Sequence, residues 1–168
     1  MRHLATCACD KLIIDKNGAH SLVSIMSNAD ISIVVQSPAV SEQIPTNAVT
    51  PREWWIFSMW EPSSEDVGEQ FEQVYQIYWP NNEKLSENRI GFKPDERVQY
   101  NSQPILGFPV GQSGKIRIVT WVDHHGQRVT EVFDYYITIK HITQAEAQQK
   151  GVAGALGVFQ ASSQSQPQ

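Results

Sequence analysis

The chain is short of nearly everything that announces a reaction. It has only two cysteines, Cys7 and Cys9, in 168 residues. Two positions apart on an extended segment, they point to one face about 7 Å apart, too far for an easy disulfide. Reduced thiols suit a cytoplasmic chain, bacterial or phage-encoded. No stretch approaches the roughly eighteen apolar residues of a membrane span. The N-terminus, MRHLATCACDKLII, mixes Cys, Asp and Lys into its apolar residues, whereas a secretory signal needs an unbroken run. Lys and Arg are scattered singly against a net charge of −5, so there is no basic patch for a phosphate backbone. Neither nucleic acid nor membrane is expected as a partner. There is no Gly-x-Ser-x-Gly elbow and no Gly-rich phosphate loop, and Gly111-Gln112-Ser113-Gly114 reads as a turn. Nothing sets a serine or cysteine beside a histidine that a carboxylate orients. A non-enzymatic protein without a cofactor is the expectation, and no motif names its role.

Alternation is what the sequence has in quantity. In GKIRIVTWVDHHGQRVTEVFDYYITIK, residues 114–140, Ile116, Ile118, Thr120 and Val122 fall on one face of a first arm, opposite Lys115, Arg117, Val119, Trp121 and Asp123. The second arm alternates in the same way through Val129, Phe133, Tyr135, Ile137 and Ile139. This period of two is that of a half-buried strand, and Gly126 suits the tight turn between the arms. The rest of the chain repeats the pattern. An opening strand runs from His3 to Cys9, with both faces apolar, which predicts a central, covered position. Leu12–Ile14 and Ser21–Met26 flank Asp15-Lys16-Asn17-Gly18, a strong hairpin signal. Ile31–Val35 is a short strand, and residues 36–51, with three prolines, read as a crossing loop. Glu53–Trp60 and Gln70–Trp79 are strands expected to pair across an acidic loop. Pro80–Glu87 reads as loop, and Arg97–Leu106 as a strand interrupted near Pro104. Thr143-Gln144-Ala145-Glu146 has the form of a capping box and predicts a short helix to about Lys150.

The expected architecture is therefore all-β, an antiparallel β-sandwich of immunoglobulin-like or jelly-roll-like type with a short C-terminal helix. The sandwich should occupy residues 1–142, the helix and a small-residue extension 143–159, and a disordered polar tail 160–168.

Two segments carry a resemblance. LATCACDKLIIDKNGAHSLVSIM, with its short apolar strand, acidic residue, glycine-containing turn and Ser-Leu-hydrophobic strand, is similar to the opening of a family of small uncharacterised bacterial β-sandwich proteins. FPVGQSGKIRIVTWVDHHGQRV, a Phe-Pro approach to a glycine and then a long hairpin, resembles that family's C-terminal half. Together they cover about half the chain. The resemblance implies the fold and a cytosolic setting, and it brings no functional residues with it.

Candidate sites are few. Asp123-His124-His125 matches the tripeptide of a class of metal-dependent phosphoesterases, but the upstream Asp-x-Asp is missing and polar turn residues are the plainer reading. His3, Cys7 and Cys9, with His20 or His141, offer thiolate and imidazole suited to zinc, yet Cys-x-Cys lacks the gap of a zinc knuckle. Aromatics are the better clue. Of five tryptophans, Trp54, Trp55, Trp60 and Trp79 lie in the two aromatic strands. Being adjacent, Trp54 and Trp55 must point to opposite faces. An exposed face carrying Trp55, Phe57 and Met59, or the alternate set, would bind a protein partner or a second copy of the chain, or stack on a sugar ring. The leading expectation is a protein-protein interaction module that uses these strands or an open sheet edge. A carbohydrate- or small-ligand-binding sandwich is the alternative, and a metal-dependent hydrolase around Asp123, His124 and His125 the third.

Overall fold

In the computed structural model, residues 1–26, 30–149 and 158–159 are described. The chain folds into two β-sheets, one of them curled into a half-barrel. The strands are β1 (Arg2–Ile14), β2 (His20–Ile25), β3 (Asp30–Val35), β4 (Val49–Glu61), β5 (Phe71–Tyr78), β6 (Lys84–Phe92), β7 (Gln99–Pro109), β8 (Gly114–His124), β9 (Gln127–Arg128), β10 (Phe133–Thr143) and β11 (Val158–Phe159). Two short helices, α1 (Pro38–Gln43) and α2 (Gln144–Gln149), complete it. The smaller sheet has the order β2-β1-β4-β7, and the larger β11-β3-β10-β8-β5-β6 with β9 on β8. The tail expected at 160–168 and most of the small-residue extension lie outside the described residues. Among those described, no helix is long and apolar enough to cross a membrane.

The first alternating arm behaves as its pattern requires, whereas the second is broken at residues 129–132 into β9 and β10 and leaves Val129 exposed. Ile116, Ile118, Thr120 and Val122 are buried, as are Ile137 and Ile139 across the ladder. The four isoleucines meet Ala8, Trp54, Ile56 and Phe108 of the smaller sheet in one core, and Val122 joins Trp60, Phe71 and Phe92 in a second. The Asn17-Gly18 turn forms, with Gly18 at φ +80 and the Asp15 carboxylate accepting from the Asn17 and Ala19 amides. The capping box closes α2: Glu146 Oε2 accepts from the Thr143 amide at 2.7 Å, and Thr143 Oγ1 accepts from the Glu146 amide at 3.3 Å.

Several expectations give way. Residues 53–60 and 70–79 do not pair, because β4 belongs to the smaller sheet and β5 to the larger. The acidic loop between them crosses from sheet to sheet, and the two aromatic strands face each other across the core. The sandwich is not wholly antiparallel, since β3 pairs in parallel with both β10 and β11. The polar segment read as loop at 80–87 opens into the edge strand β6, and the proline-rich crossing contains α1. The crossing segment is pinned at Gly111, where a Cβ would sit 2.4 Å from the Pro45 carbonyl oxygen and 2.5 Å from that of Thr46. Only glycine lets these two backbones approach so closely.

The core also carries a polar seam. The Trp60 indole and the Asn101 amide both donate to Gln73 Oε1, at 2.9 and 2.7 Å. Gln73 Nε2 donates to Thr120 Oγ1, which donates on to the Val74 carbonyl. Beside it, Tyr75 donates to Ser58 Oγ, which is also bonded to Thr6 Oγ1, itself bonded to His3 Nε2 at 2.8 Å. Burial pushes the Tyr75 hydroxyl well above the usual tyrosine range.

Candidate functional site

Pleating decides the fate of the aromatic residues. On β4, Trp54, Ile56, Ser58 and Trp60 point into the core, and both tryptophans are fully buried. Trp54 donates its indole N–H to the Gly107 carbonyl. Trp79, just beyond β5, is buried as well. These three serve the interior and offer nothing to a partner, so the expectation that they form part of a contact surface is corrected. Trp55, Phe57 and Met59 point outward from the same strand. Of these, Phe57 is also buried, at 4 % exposure, because Tyr100 stacks on it at 6.0 Å and His20 lies against it at 5.6 Å. His20 in turn stacks on Tyr100 at 4.9 Å. Only Trp55 and Met59 of the six expected contact residues keep partial exposure.

The smaller sheet has exposed apolar side chains elsewhere, on either side of its strands. Among the described residues, eight of the twelve exposed large hydrophobic side chains lie on the four strands of the smaller sheet: Leu4, Ile13 and Ile14 on β1, Val23 and Ile25 on β2, Val49 on β4, and Tyr100 and Leu106 on β7. Leu106 is 82 % exposed. It borders a groove of about 350 Å³ between β7 and β6, lined by Val49, Leu85, Pro104 and Ile105. Alternation alone does not reveal this surface, since its residues look like ordinary strand positions. The two apolar faces of the opening strand predict a covered position, and β1 is central in its sheet but exposes Leu4, Ile13 and Ile14.

The proposed thiolate-imidazole set does not assemble. Cys7 and Cys9 stand outward opposite Phe57 and Trp55, whereas His3 stands inward opposite Trp60. Burial and the neighbouring Cys9 push the Cys7 thiol up to about 11, and burial with Asp10 raises Cys9. Protonated thiols are poor metal ligands and poor nucleophiles. His141 is committed elsewhere: its Nε2 lies 2.7 Å from the Val110 carbonyl and so donates to it, leaving Nδ1 to accept from Ser41 Oγ.

The Asp123-His124-His125 tripeptide is divided by the strand. Asp123 turns to the outer face of the larger sheet, where Oδ1 accepts from the Trp121 indole at 2.8 Å and Oδ2 from Arg89 at 3.3 Å. His124 turns the other way, its ring 4.6 Å from that of Phe71. His125 and Gly126 form the two-residue turn between β8 and β9, with φ +51 and +78, a type I′ geometry. That left-handed backbone folds the second imidazole back beside the first, at a ring separation of 4.1 Å. Glu69, which no motif singled out, completes a group of three whose ligand atoms all lie within 4.8 Å of one another. No protein-family model matches the chain, and no curated protein matches it.

Proposed function

We propose that this chain is a non-enzymatic protein-interaction module of a bacterial or phage cytoplasm, which meets its partner through the outer face of the smaller sheet and the β1–β2 hairpin. One observation carries the reading: the concentration of exposed large apolar side chains on those four strands, against scattered single ones elsewhere among the described residues. Exposed large apolar side chains gathered on one sheet suit a contact site. Trp55 and Met59, both partly exposed there, are of the residue types favoured in the cores of interfaces. Among the described residues no further strand lies beside β2, so its edge backbone groups can extend a ladder into another chain. Sugar stacking has less support, because Tyr100 already stacks on His20 and Phe57.

The test compares the wild type with Val23→Glu, Ile25→Glu in affinity capture from lysate of the source cells, alongside sedimentation of the purified chains. The expected result is one dominant protein, or a self-associated species, that is lost with the variant while the thermal unfolding temperature is kept. Equal capture and equal sedimentation by both chains overturn the reading.

A further inference from the structure

We propose that Glu69, His124 and His125 form a three-ligand site for a divalent transition-metal ion at the β8–β9 end of the larger sheet. The argument begins with ligand chemistry. Two imidazoles and a carboxylate match zinc, copper(II) and their neighbours, and do not suit magnesium or calcium, which ask for oxygen alone. Geometry follows. Around a tetrahedral zinc with bonds of roughly 2.1 Å, ligand atoms stand about 3.4 Å apart. His124 Nε2 and Glu69 Oε2 are 3.6 Å apart. The whole group spans no more than 4.8 Å, so a small rotation of the exposed Glu69 and His125 side chains closes it.

A second observation points the same way. His124 Nε2 is buried and has no hydrogen-bond partner, a costly state for a ring nitrogen. It faces the Glu69 carboxylate from too far for a hydrogen bond, at the separation that two ligands of one ion adopt. The backbone prepares this arrangement. Along a regular strand His124 and His125 would point to opposite faces, and only the left-handed turn at His125 puts both on one side. Pairing of Phe71 with His124 brings in Glu69, two residues before the β5 end of that pair. Three protein ligands leave at least one coordination position open. It would be filled by water or by an anionic oxygen from solvent, which the exposed Glu69 and His125 border. The site stands apart from the contact face proposed above, and either reading can fail alone.

An ordinary histidine-glutamate ion pair is the competing explanation, and zinc titration of the untagged full chain separates the two. The chain is stripped with EDTA, then followed by calorimetry and by thermal unfolding with and without zinc. Wild type is expected to bind one equivalent and to unfold at higher temperature with the metal present. His125→Asn keeps a residue that tolerates the left-handed turn. It should melt like the wild type without metal, yet bind zinc at least about tenfold more weakly, the scale on which even the outer partners of metal ligands act. Glu69→Gln should do the same, whereas His20→Gln should bind as the wild type does. Absence of saturable binding by the wild type overturns the proposal, as does equal affinity in His125→Asn and Glu69→Gln.

Discussion

The two sheets solve the same problem in opposite ways. Each has one face in the common core and one face outward, and each carries more apolar residues than the core can take. The larger sheet hides its surplus. On its outer face Val74, Val119 and Trp121 pack together with Tyr78. Charge closes over them: Arg128 lies 4.6 Å above the Trp121 ring, Arg117 5.8 Å from that of Tyr78, and Arg89 spans Glu72, Glu87 and Asp123. The smaller sheet covers Phe57 and Cys9 but leaves Val23, Ile25, Tyr100 and Leu106 in the open. That contrast is the basis for placing the contact surface on the smaller sheet.

The comparison breaks most readily at the core itself. Replacing Trp60 by Ala, which removes a fully buried ring and one of the two donors to Gln73 Oε1, should cost about 3–5 kcal/mol in denaturant unfolding. Met59→Ser, the next residue but on the outer face, should cost about 1 kcal/mol or less. Similar losses in both would mean that the outer face of the smaller sheet is covered after all. A smaller effect tests the larger sheet. Trp121→Ala should cost about 2–3 kcal/mol if the outer layer is a true second core, and Arg128→Ala about 0.5–1 kcal/mol through its hold on the ring. An exposed tryptophan would give neither loss.

The smallest effect is one of pH. Burial holds the His3 imidazole below its ordinary pKa, against a weaker opposing hydrogen bond with the Ala5 backbone. The unfolded chain therefore takes up the proton first as pH falls. Stability from this group is complete above about pH 6.5 and declines below it, until the lowered native value is reached. His3→Phe keeps the ring stacked on Phe133, 3.8 Å away, and should flatten this part of the curve. An unchanged slope between neutral and mildly acid pH would assign the dependence to another group.

Much of this fold is legible in the residues. Alternation located β1, β2, β4, β5, β8 and the core of β10, and local turn chemistry placed Gly18, Gly126 and the cap at Thr143. Strand β6 is not legible in KLSENRIGF because, among the described residues, it has one neighbour only and tolerates charge at Glu87 and Arg89. Pairing between strands escaped for a different reason. Period two says which way a side chain points and nothing about which strand lies beside it, so β4 and β5 were expected in one sheet. The histidine pair was visible as a motif, but Glu69 joins it only through the register of β5 on β8. The exposed face was equally hidden, since an apolar residue looks the same whether a sheet covers it or not.

The parallel pairing of β3 with β10 also sets a clock. Residues 30–35 need residues 138–143 beside them, and a growing chain has not yet made those. At roughly 5–20 residues per second, ISIVV waits on the order of ten seconds after emerging before its neighbour exists. The β1–β2 hairpin needs no such delay, being joined by a turn of its own. The strand that lies quietly between partners in the finished protein is therefore the one most open to wrong pairing while the protein is being made.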